Sequence, residues 1–579
     1  MNNKKGYILV LVLGSVAVML FLASTLYNYT STRTFWTYKH TKKITDVASA
    51  RSVVDQIAAD IEHSLYSFRN TEGKLMNELH TDFYNYYTTD LVPYYSNLYC
   101  EPNEECIKIR DLSIESCNYN DGLVDPCYTS NSYSYAYEIV YEDDVVATKK
   151  FFVSMIPSFL QFALGSSTDI TINGGAYIDG NIYTGQDFYL SDVANYIKSG
   201  QYNTVETVAP TVSQSSNLFL GRDFNYCKDS TSNPCYTIDT KFNTNESAFI
   251  TSSNTIDYQN AFHTSYPKVM NYNQNFLEVD YEKSYIYYLR KAAGQSSTSY
   301  IYDDFKTYVN SLIQEYSTNG NYYVANSIAD ISDQQEKSVI LSTDYRITFN
   351  KDIQFNKDQW IIIDGDLYIE NYFNEEITID ANIMVTGNVV ITGNVAFDST
   401  IYSLGLGLVH GANIKGVNTS QLILLTYDDL EFSVINTLEN DFVDKVCRDP
   451  FSTTNECYYN YEPDLKGFFF TNEKAAFYGV ASYINIEGGI YTKDTENLFK
   501  SPDDLTNYTI SDTDSIGLLI NSYRGSVTEE NDAFQFSPSS VYTKSRVVIR
   551  HNPSIFKNLN QGLPINDQVN YAFENTIVR

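Results

Sequence analysis

The sequence has little positive charge and lacks most of the short motifs that mark enzymes. Its 579 residues include 39 Lys and Arg against 71 Asp and Glu, which gives a formal charge of −32. No Lys/Arg-rich run interrupts this acidity, so the chain offers no surface that would follow a nucleic-acid backbone. It also lacks an HExxH pair, a complete phosphate-binding Gly/Lys loop and a GxSxG turn. We therefore expect no nucleic-acid partner and no cofactor.

Charged residues of either sign are scarce, at 19% of the chain, which argues against helical repeats and against global disorder. Tyr (52) and Phe (32) are abundant beside many Ser, Thr and Asn, a mixture typical of twisted sheets and polar turns. The length suffices for two to four domains with their own cores. The composition therefore predicts a mainly β protein.

One segment near the N-terminus is long and apolar. Residues 7–27, YILVLVLGSVAVMLFLASTLY, carry no charge, and as a helix they would extend about 31 Å against a hydrocarbon core of about 30 Å. A buried core helix would show a polar face, which this run lacks. A removable secretory signal would have a shorter apolar stretch and a better cleavage site than Leu22-Ala23-Ser24. We predict a transmembrane helix over residues 7–29.

The helix is predicted to continue beyond the membrane. Apolar residues recur at steps of three and four from Ile44 to Leu65, and no Pro occurs between residues 7 and 65. Residues 30–68 are expected to form an amphipathic continuation that packs on a folded domain. Charge does not settle the orientation, because more basic residues follow the span than precede it. These residues are Lys4 and Lys5 before the span, and Arg33, Lys39, Lys42 and Lys43 after it.

This N-terminus resembles that of type IV pilin-like proteins, in which a short basic leader ends in Gly before an apolar helix. Here Met-Asn-Asn-Lys-Lys-Gly matches the leader, so the resemblance implies cleavage between Gly6 and Tyr7. Residues 46–62 are similar to the Ala-rich helix of PilX-type fimbrial biogenesis proteins. Major pilins carry Glu at the fifth mature position, where this chain has Leu11, which favours a minor or tip-located role. A plain, unprocessed single-pass anchor is the alternative.

The eight cysteines form four neighbouring pairs, each of which encloses a short polar loop. Zinc sites favour closer spacings, and an even, clustered count is typical of disulfides formed in an oxidising compartment; metal ligation and free thiols are the alternatives. We therefore predict an ectodomain in the periplasm or at the cell surface and a cytoplasmic N-terminus. The predicted disulfide cysteines are Cys100 and Cys106, Cys117 and Cys127, Cys227 and Cys235, and Cys447 and Cys457.

Much of the ectodomain repeats every six residues. From Ile377 onward, two apolar residues at alternate positions are followed by a turn, as in Ile383-Met-Val-Thr-Gly-Asn and Val389-Val-Ile-Thr-Gly-Asn. The same six-residue repeat occurs around Ile170 and Ile361. Inward apolar pairs with sharp corners at this period predict a parallel β-helix. We predict a mainly β fold, in which a long N-terminal α-helix precedes a parallel β-helix-like ectodomain with a mixed insertion.

These signals divide the chain into segments. The predicted segments are a leader (1–6), the transmembrane helix (7–29), its amphipathic continuation (30–68), a helix and hairpin segment with two Cys loops (69–165), the β-helix (166–192 and 353–555), an insertion (193–352) and a C-terminal tail (556–579). The hairpin is expected over residues 133–155, and helix is expected near residues 79–98 and 284–316. Residues 547–559 also resemble the end of the β-helix in pilin-like bacterial surface proteins.

Parallel β-helices also host polysaccharide lyases and hydrolases, whose sites gather carboxylates. The acidic candidates for such a site are Asp179, Asp364, Asp366, Asp380, Asp398, Asp428 and Asp429. Most lie at rung corners, where turns favour Asp and Asn regardless of function, and the six His show no paired metal spacing. We therefore predict no catalytic, cofactor-binding or metal-binding residues.

The sequence thus predicts a membrane-anchored pilin-like surface or minor pilus-associated protein that acts in assembly or adhesion. Its expected partners are the lipid bilayer, through residues 7–29, other pilin-like subunits and a surface glycan. The alternative is a membrane-anchored β-helix enzyme that processes polysaccharide.

Overall fold

The structure is a computed structural model that describes most of the chain. The described residues are 4–67, 82–83, 85–91, 94, 106–111, 134–142, 145–154, 156–238, 242–252, 255–271, 279–295, 304–331, 336–342, 346–371, 375–440, 445–447, 457–459, 463–494, 517–556, 561–565, 569–573 and 576–578. The predicted disulfide cysteines Cys100, Cys117 and Cys127 lie outside these residues. Half of the predicted helix over 79–98 also lies outside them, and its described residues, 82–83, 85–91 and 94, are helical, with a single turn at Tyr86–Leu91.

One helix, α1 (Lys4–Ser67), runs through the whole N-terminal segment, which confirms the predicted continuous helix. Its side chains are exposed from Val12 to Thr45, and the first fully buried one is Ala50. Packing on the folded body therefore begins near Asp46, later than the predicted start of the amphipathic segment at residue 30. The intervening stretch lies clear of the body because its polar and aromatic residues form no apolar stripe that could be buried.

The body is a parallel coil in which each turn contributes one strand to each of three faces. The turn length follows from the six-residue repeat, because Ile377 lies beside Val395 and Ile383 beside Ile401, each pair 18 residues apart. Three six-residue units thus form one turn. The inward-facing Ile, Val, Leu and Phe side chains of successive turns stack into one continuous core. This is the predicted β-helix-like architecture.

Within the described residues, the first face contains twelve parallel strands. In spatial order they are Tyr323–Ala325, Val339–Ser342, Trp360–Asp364, Asn382–Val385, Ser399–Ser403, Leu422–Thr426, Leu465–Thr471, Ile484–Thr492, Leu164–Ser166, Ile182–Thr184, Asn217–Leu220 and Lys268–Asn271.

The second and third faces are built in the same way. The strands of the second face are Ile347–Phe349, Leu367–Asn371, Val389–Phe397, Gly407–Gly416, Leu430–Ser433, Ala475–Gly479, Leu518–Ser522, Ile170–Gly174, Phe188–Ser191 and Phe224–Cys227, with Ile250–Ser252 antiparallel to the last. Those of the third face are Ile353–Gln354, Ile377–Asp380, Val547–Arg550, Tyr177–Asp179 and Thr211–Val212, together with the ends of longer strands that turn the corner.

The coil is assembled from two parts of the chain that meet in its middle. Strand Ile484–Thr492 pairs with Leu164–Ser166, and Leu518–Ser522 pairs with Ile170–Gly174, so the last turns of the sequence stack on the first. Parts of the range assigned to an insertion, 193–352, extend the coil at both ends, which corrects that assignment. Residues 193–352 lack the six-residue repeat because longer loops separate their strands.

A second core covers the outside of the first face. Three further α-helices occur in the described residues: α2 (Thr255–Ala261), which packs on the inner core of the coil, and α3 (Tyr281–Ala292) and α4 (Phe305–Thr318), which contribute to this second core. The last two confirm the helix predicted near 284–316, and their aromatic side chains pack on outward-facing residues such as Trp360 and Tyr402. Burial on both sides explains why strands of this face are apolar throughout rather than alternating.

A separate antiparallel sheet, here called the docking sheet, lies beside α1. Its strands are Cys106–Asp111, Ser134–Glu142, Val146–Ser154, Asn570–Phe573 and Ile577–Val578. The second and third confirm the predicted hairpin. Four further hairpins complete the strand inventory of the described residues: Val193–Lys198 with Gln201–Glu206, Tyr236–Ile238 with Phe242–Thr244, Lys445–Cys447 with Cys457–Tyr459, and Gly525–Glu530 with Ala533–Pro538.

Candidate functional site

The first candidate site is the exposed N-terminal half of α1. Large apolar side chains such as Leu13, Met19, Leu20 and Phe21 are more than half exposed, and Met19 reaches 71%. Among the described residues, α1 is the one helix long and apolar enough to cross a membrane, and its apolar window has no contact that buries it in the protein. A soluble surface does not ordinarily expose a continuous apolar cylinder of this length. This half of α1 is therefore a candidate membrane span.

The second half of α1 carries a buried stripe against the docking sheet. The stripe consists of Ala50, Val54, Ile57, Ala58, Ile61 and Leu65, all at most 4% exposed. These positions recur at three- and four-residue steps, so they share one side of the helix. They pack into a core that includes Ile139 and Phe151 of the docking sheet and continues under α3 and α4. The exposed half of α1 is thereby joined to the body through its buried second half.

Asp55 fastens this helix to two other segments. Its carboxylate accepts hydrogen bonds from Lys149 Nζ at 2.8 Å and from Thr576 Oγ1 at 2.5 Å, and it lies 3.5 Å from Arg51 Nε. Burial alone would raise the pKa of Asp55, but these hydrogen bonds and positive charges outweigh it and hold the pKa below its usual value. The ionised Asp55 therefore links α1 to strand Val146–Ser154 of the docking sheet and to the C-terminal segment that contains Thr576.

The two C-terminal strands were not predicted from the sequence, which assigned 556–579 to a tail. Asn570–Phe573 pairs with Val146–Ser154, and Ile577–Val578 pairs further along the same strand. The alternation of Val569, Tyr571 and Phe573 in the sequence is the signal that indicates a strand here. The C-terminal strands consequently belong to the sheet on which the second half of α1 packs.

The predicted leader junction lies within the described backbone of α1, where Gly6 and Tyr7 are both helical. Of the predicted disulfides, Cys227–Cys235 is formed. Cys447 lies directly opposite Cys457 in an antiparallel ladder, a register whose Cα separation suits a disulfide. Cys106 begins the first strand of the docking sheet, and its predicted partner Cys100 lies outside the described residues. The three pairs other than Cys227–Cys235 stay predictions.

Acidic candidates at the corners accept hydrogen bonds from backbone N–H groups of the next turn. Asp366 Oδ1 accepts the Asn388 N–H at 2.7 Å, and Asn388 Oδ1 in turn accepts the Leu406 N–H at 3.0 Å. Asp429 Oδ1 accepts the Lys474 N–H at 3.2 Å in the same way. Each corner side chain thus satisfies a backbone donor that the turn would leave unpaired.

The remaining acidic candidates are held by side chains or lie apart. Lys357 Nζ lies 2.8 Å from Asp380 and 3.3 Å from Asp398, and Lys306 of α4 bridges to Asp428 at 2.9 Å. Asp364 accepts from Thr386 Oγ1 at 3.2 Å. Asp179 lies opposite Arg550, several turns away from the others. The structure therefore distributes these carboxylates along the coil, and within the described residues it gathers no three His, Cys, Asp or Glu side chains that could hold a metal ion.

Two corner carboxyls have strongly raised pKa values. Burial raises the pKa of Asp169 to about 7, with the nearby Asp187 and Asp494 carboxylates adding to the rise. Burial likewise raises the pKa of Asp464 to about 7 against the hydrogen bonds from Asn485 and Asn436. Both carboxyls accept the backbone N–H of the next turn, Asp169 from Asp187 at 2.9 Å and Asp464 from Asn485 at 3.1 Å. Because these hydrogen bonds join neighbouring turns, both carboxyls have a structural role in the coil.

Two fully buried arginines hold one side of the coil, and no sequence signal singled them out. Arg524 donates to the Gly175 and Ala176 carbonyls at 3.1 and 3.0 Å. Arg546 donates to the Ala481 carbonyl at 3.0 Å and to Asn440 Oδ1 at 3.0 Å. Burial lowers the pKa of each guanidinium to about 10, so both stay charged at neutral pH. They bind carbonyls at corners between the second and third faces of the coil.

Comparison with known proteins gives little further information. No family model and no curated protein matches the chain. Among solved structures, the competence-associated pilin ComZ from Thermus thermophilus is similar at 9% sequence identity and a TM-score of 0.20, over 92% of this chain and 97% of that one. At that TM-score the likeness supports no conclusion about fold or function. The functional conclusion therefore depends on the residues and the geometry described above.

Proposed function

We propose that the protein is a membrane-anchored, pilin-like surface or minor pilus-associated protein that acts in assembly or adhesion rather than in catalysis. One observation carries the proposal. A single helix presents an exposed apolar half, while its other half packs into the body through six buried side chains. This arrangement suits a span that holds a large ectodomain at a membrane surface.

The acidic residues support a role without turnover. A polysaccharide-cleaving site needs two carboxyls about 5–10 Å apart and open to a sugar. Here Asp366 and Asp429 accept hydrogen bonds from backbone N–H groups. Asp380, Asp398 and Asp428 form ion pairs with lysines. Within the part of the chain that the structure describes, no observation favours the enzyme alternative.

The pilin-like part of the proposal depends on the leader and on Tyr7 as the first mature residue. The ectodomain is proposed to lie outside the cytoplasm, which agrees with the disulfide between Cys227 and Cys235. Mass spectrometry of the native N-terminal peptide tests this directly. A chain that starts at Tyr7 supports pilin-type processing. A chain that keeps Met1 contradicts the processing but leaves an anchor, and a start near Thr25 contradicts the anchor itself.

A further inference from the structure

The stretch of α1 just beyond the apolar span has an unusual charge. All 71 acidic residues of the chain lie beyond position 45, whereas Arg33, Lys39, Lys42 and Lys43 lie before it. We call residues 33–43 the basic belt. The rest of the protein is strongly acidic, so the belt differs in sign from the body that it supports. Nothing in the predicted anchoring role explains this difference.

Aromatic side chains accompany the basic residues of the belt. Lys39 Nζ lies 5.8 Å from the centre of the Trp36 ring, and the Trp36 ring lies 6.4 Å from those of Phe35 and His40. Phe35 and Trp36 are more than half exposed. Trp side chains next to Lys and Arg are typical of the boundary between hydrocarbon and water, where the ring and the charge can both be accommodated.

The position of the belt along the helix matches the polar surface of a bilayer. Tyr7, the proposed first mature residue, and Arg33 are 26 residues apart, or about 39 Å along a helix, and a bilayer measures about 40–45 Å with its headgroups. Lys43 lies about 15 Å beyond Arg33. The belt therefore starts in the headgroup layer and extends outward from it, if α1 spans the membrane as proposed above.

The body is placed where membrane charge no longer reaches it. Ala50, the first fully buried residue of α1, lies about 25 Å beyond Arg33 in the headgroup layer, whereas Lys39 lies about 9 Å beyond it, and the Debye length at physiological salt is about 8 Å. An anionic surface would attract the belt and repel the acidic body, and this spacing allows the first interaction while screening the second.

We propose that the basic belt binds the anionic phospholipid headgroups of the leaflet that faces the ectodomain. This inference deepens the proposed function and depends on α1 being a membrane span. Each basic residue near an anionic surface contributes about a fivefold preference. Anionic lipid should accordingly be enriched around the belt, and the enrichment should fall at high salt.

The two tryptophans of the protein provide the test. Trp36 is 54% exposed in the belt, whereas Trp360 is 2% exposed inside the body and serves as an internal reference. The full chain is reconstituted in mixed bilayers that contain equal amounts of phosphatidylglycerol and phosphatidylcholine, with one or the other brominated. We expect brominated phosphatidylglycerol to quench Trp36 severalfold more strongly than brominated phosphatidylcholine.

A charge-matched pair of variants completes the design. In the triple variant Arg33→Gln, Lys39→Gln and Lys43→Gln, which keeps Lys42, the preference of Trp36 for quenching by brominated phosphatidylglycerol should fall severalfold. The control variant Lys228→Gln, Lys337→Gln and Lys351→Gln removes three exposed positive charges from the body and should keep the preference.

The outcomes separate this inference from the proposed function. Equal quenching of the native chain by both lipids overturns lipid binding by the belt but leaves the anchor intact. Failure of the chain to float with the vesicles overturns the anchor as well. Belt-dependent self-association without any lipid preference would assign the belt to the acidic body of a second copy, and would also overturn the inference.

Discussion

Removal of one side chain from the buried stripe of α1 should weaken the packing of this helix on the docking sheet. Ile61 is fully buried against the docking sheet, whereas Ile44, on the same helix, is 69% exposed. Ile61→Ala should destabilise the docked state by about 2–4 kcal/mol, since it removes buried contacts and leaves a cavity. Ile44→Ala should change stability by less than about 0.5 kcal/mol. The change in helix propensity is the same at both positions, so the difference between the variants reports packing alone.

Hydrogen exchange in detergent micelles measures this difference locally. Backbone amides of residues 50–65 should exchange roughly 30-fold to several hundred-fold faster in Ile61→Ala than in the native chain, because exchange follows the population of the undocked state. Amides of the β-helix-like coil far from α1 should be little affected. Equal exchange of these residues in the Ile61→Ala and Ile44→Ala variants would refute the docking that the structure shows.

Three other predictions concern the coil. Asp169 has a raised pKa of about 7, so the native state binds more protons than the unfolded state between pH 4 and pH 7 and stability falls as pH rises through that range; Asp169→Asn should flatten this decline in thermal melts. Gly393→Ala should lower the melting temperature far more than Gly200→Ala, because both have positive φ but a Cβ at Gly393 would lie 1.7 Å from the Asn371 carbonyl oxygen, whereas none lies near Gly200. Arg524→Leu should destabilise the chain by about 3 kcal/mol or more in denaturant titrations, since it leaves buried carbonyls without donors.

The sequence predicted the parts of the fold that repeat. Ile377, Ile383 and Val389 keep a strict six-residue spacing because each turn of the coil has three short strands with tight corners, and that geometry restricts the residues at every position. The long helix was predictable for a similar reason, since the apolar run and the stripe from Ala50 to Leu65 follow simple periodicities.

Long-range pairing was not predictable from local patterns. No short segment indicates that Ile484–Thr492 stacks on Leu164–Ser166, or that Asn570–Phe573 joins the docking sheet, because strand pairing depends on partners hundreds of residues away. The buried Arg524 and Arg546 were missed for the same reason, since their carbonyl partners come from distant corners. The corner aspartates were assigned correctly to turns, but their bonds to the next turn required the structure.

The most direct test of the account is extraction of membranes that carry the full chain with alkaline carbonate, which removes peripheral proteins and leaves spanning ones. The exposed apolar half of α1 should keep the protein in the membrane pellet, as expected for about 20 consecutive apolar residues in a bilayer. Release of the intact chain into the supernatant would show that α1 does not span the membrane, and would contradict the anchoring role on which the proposed function depends.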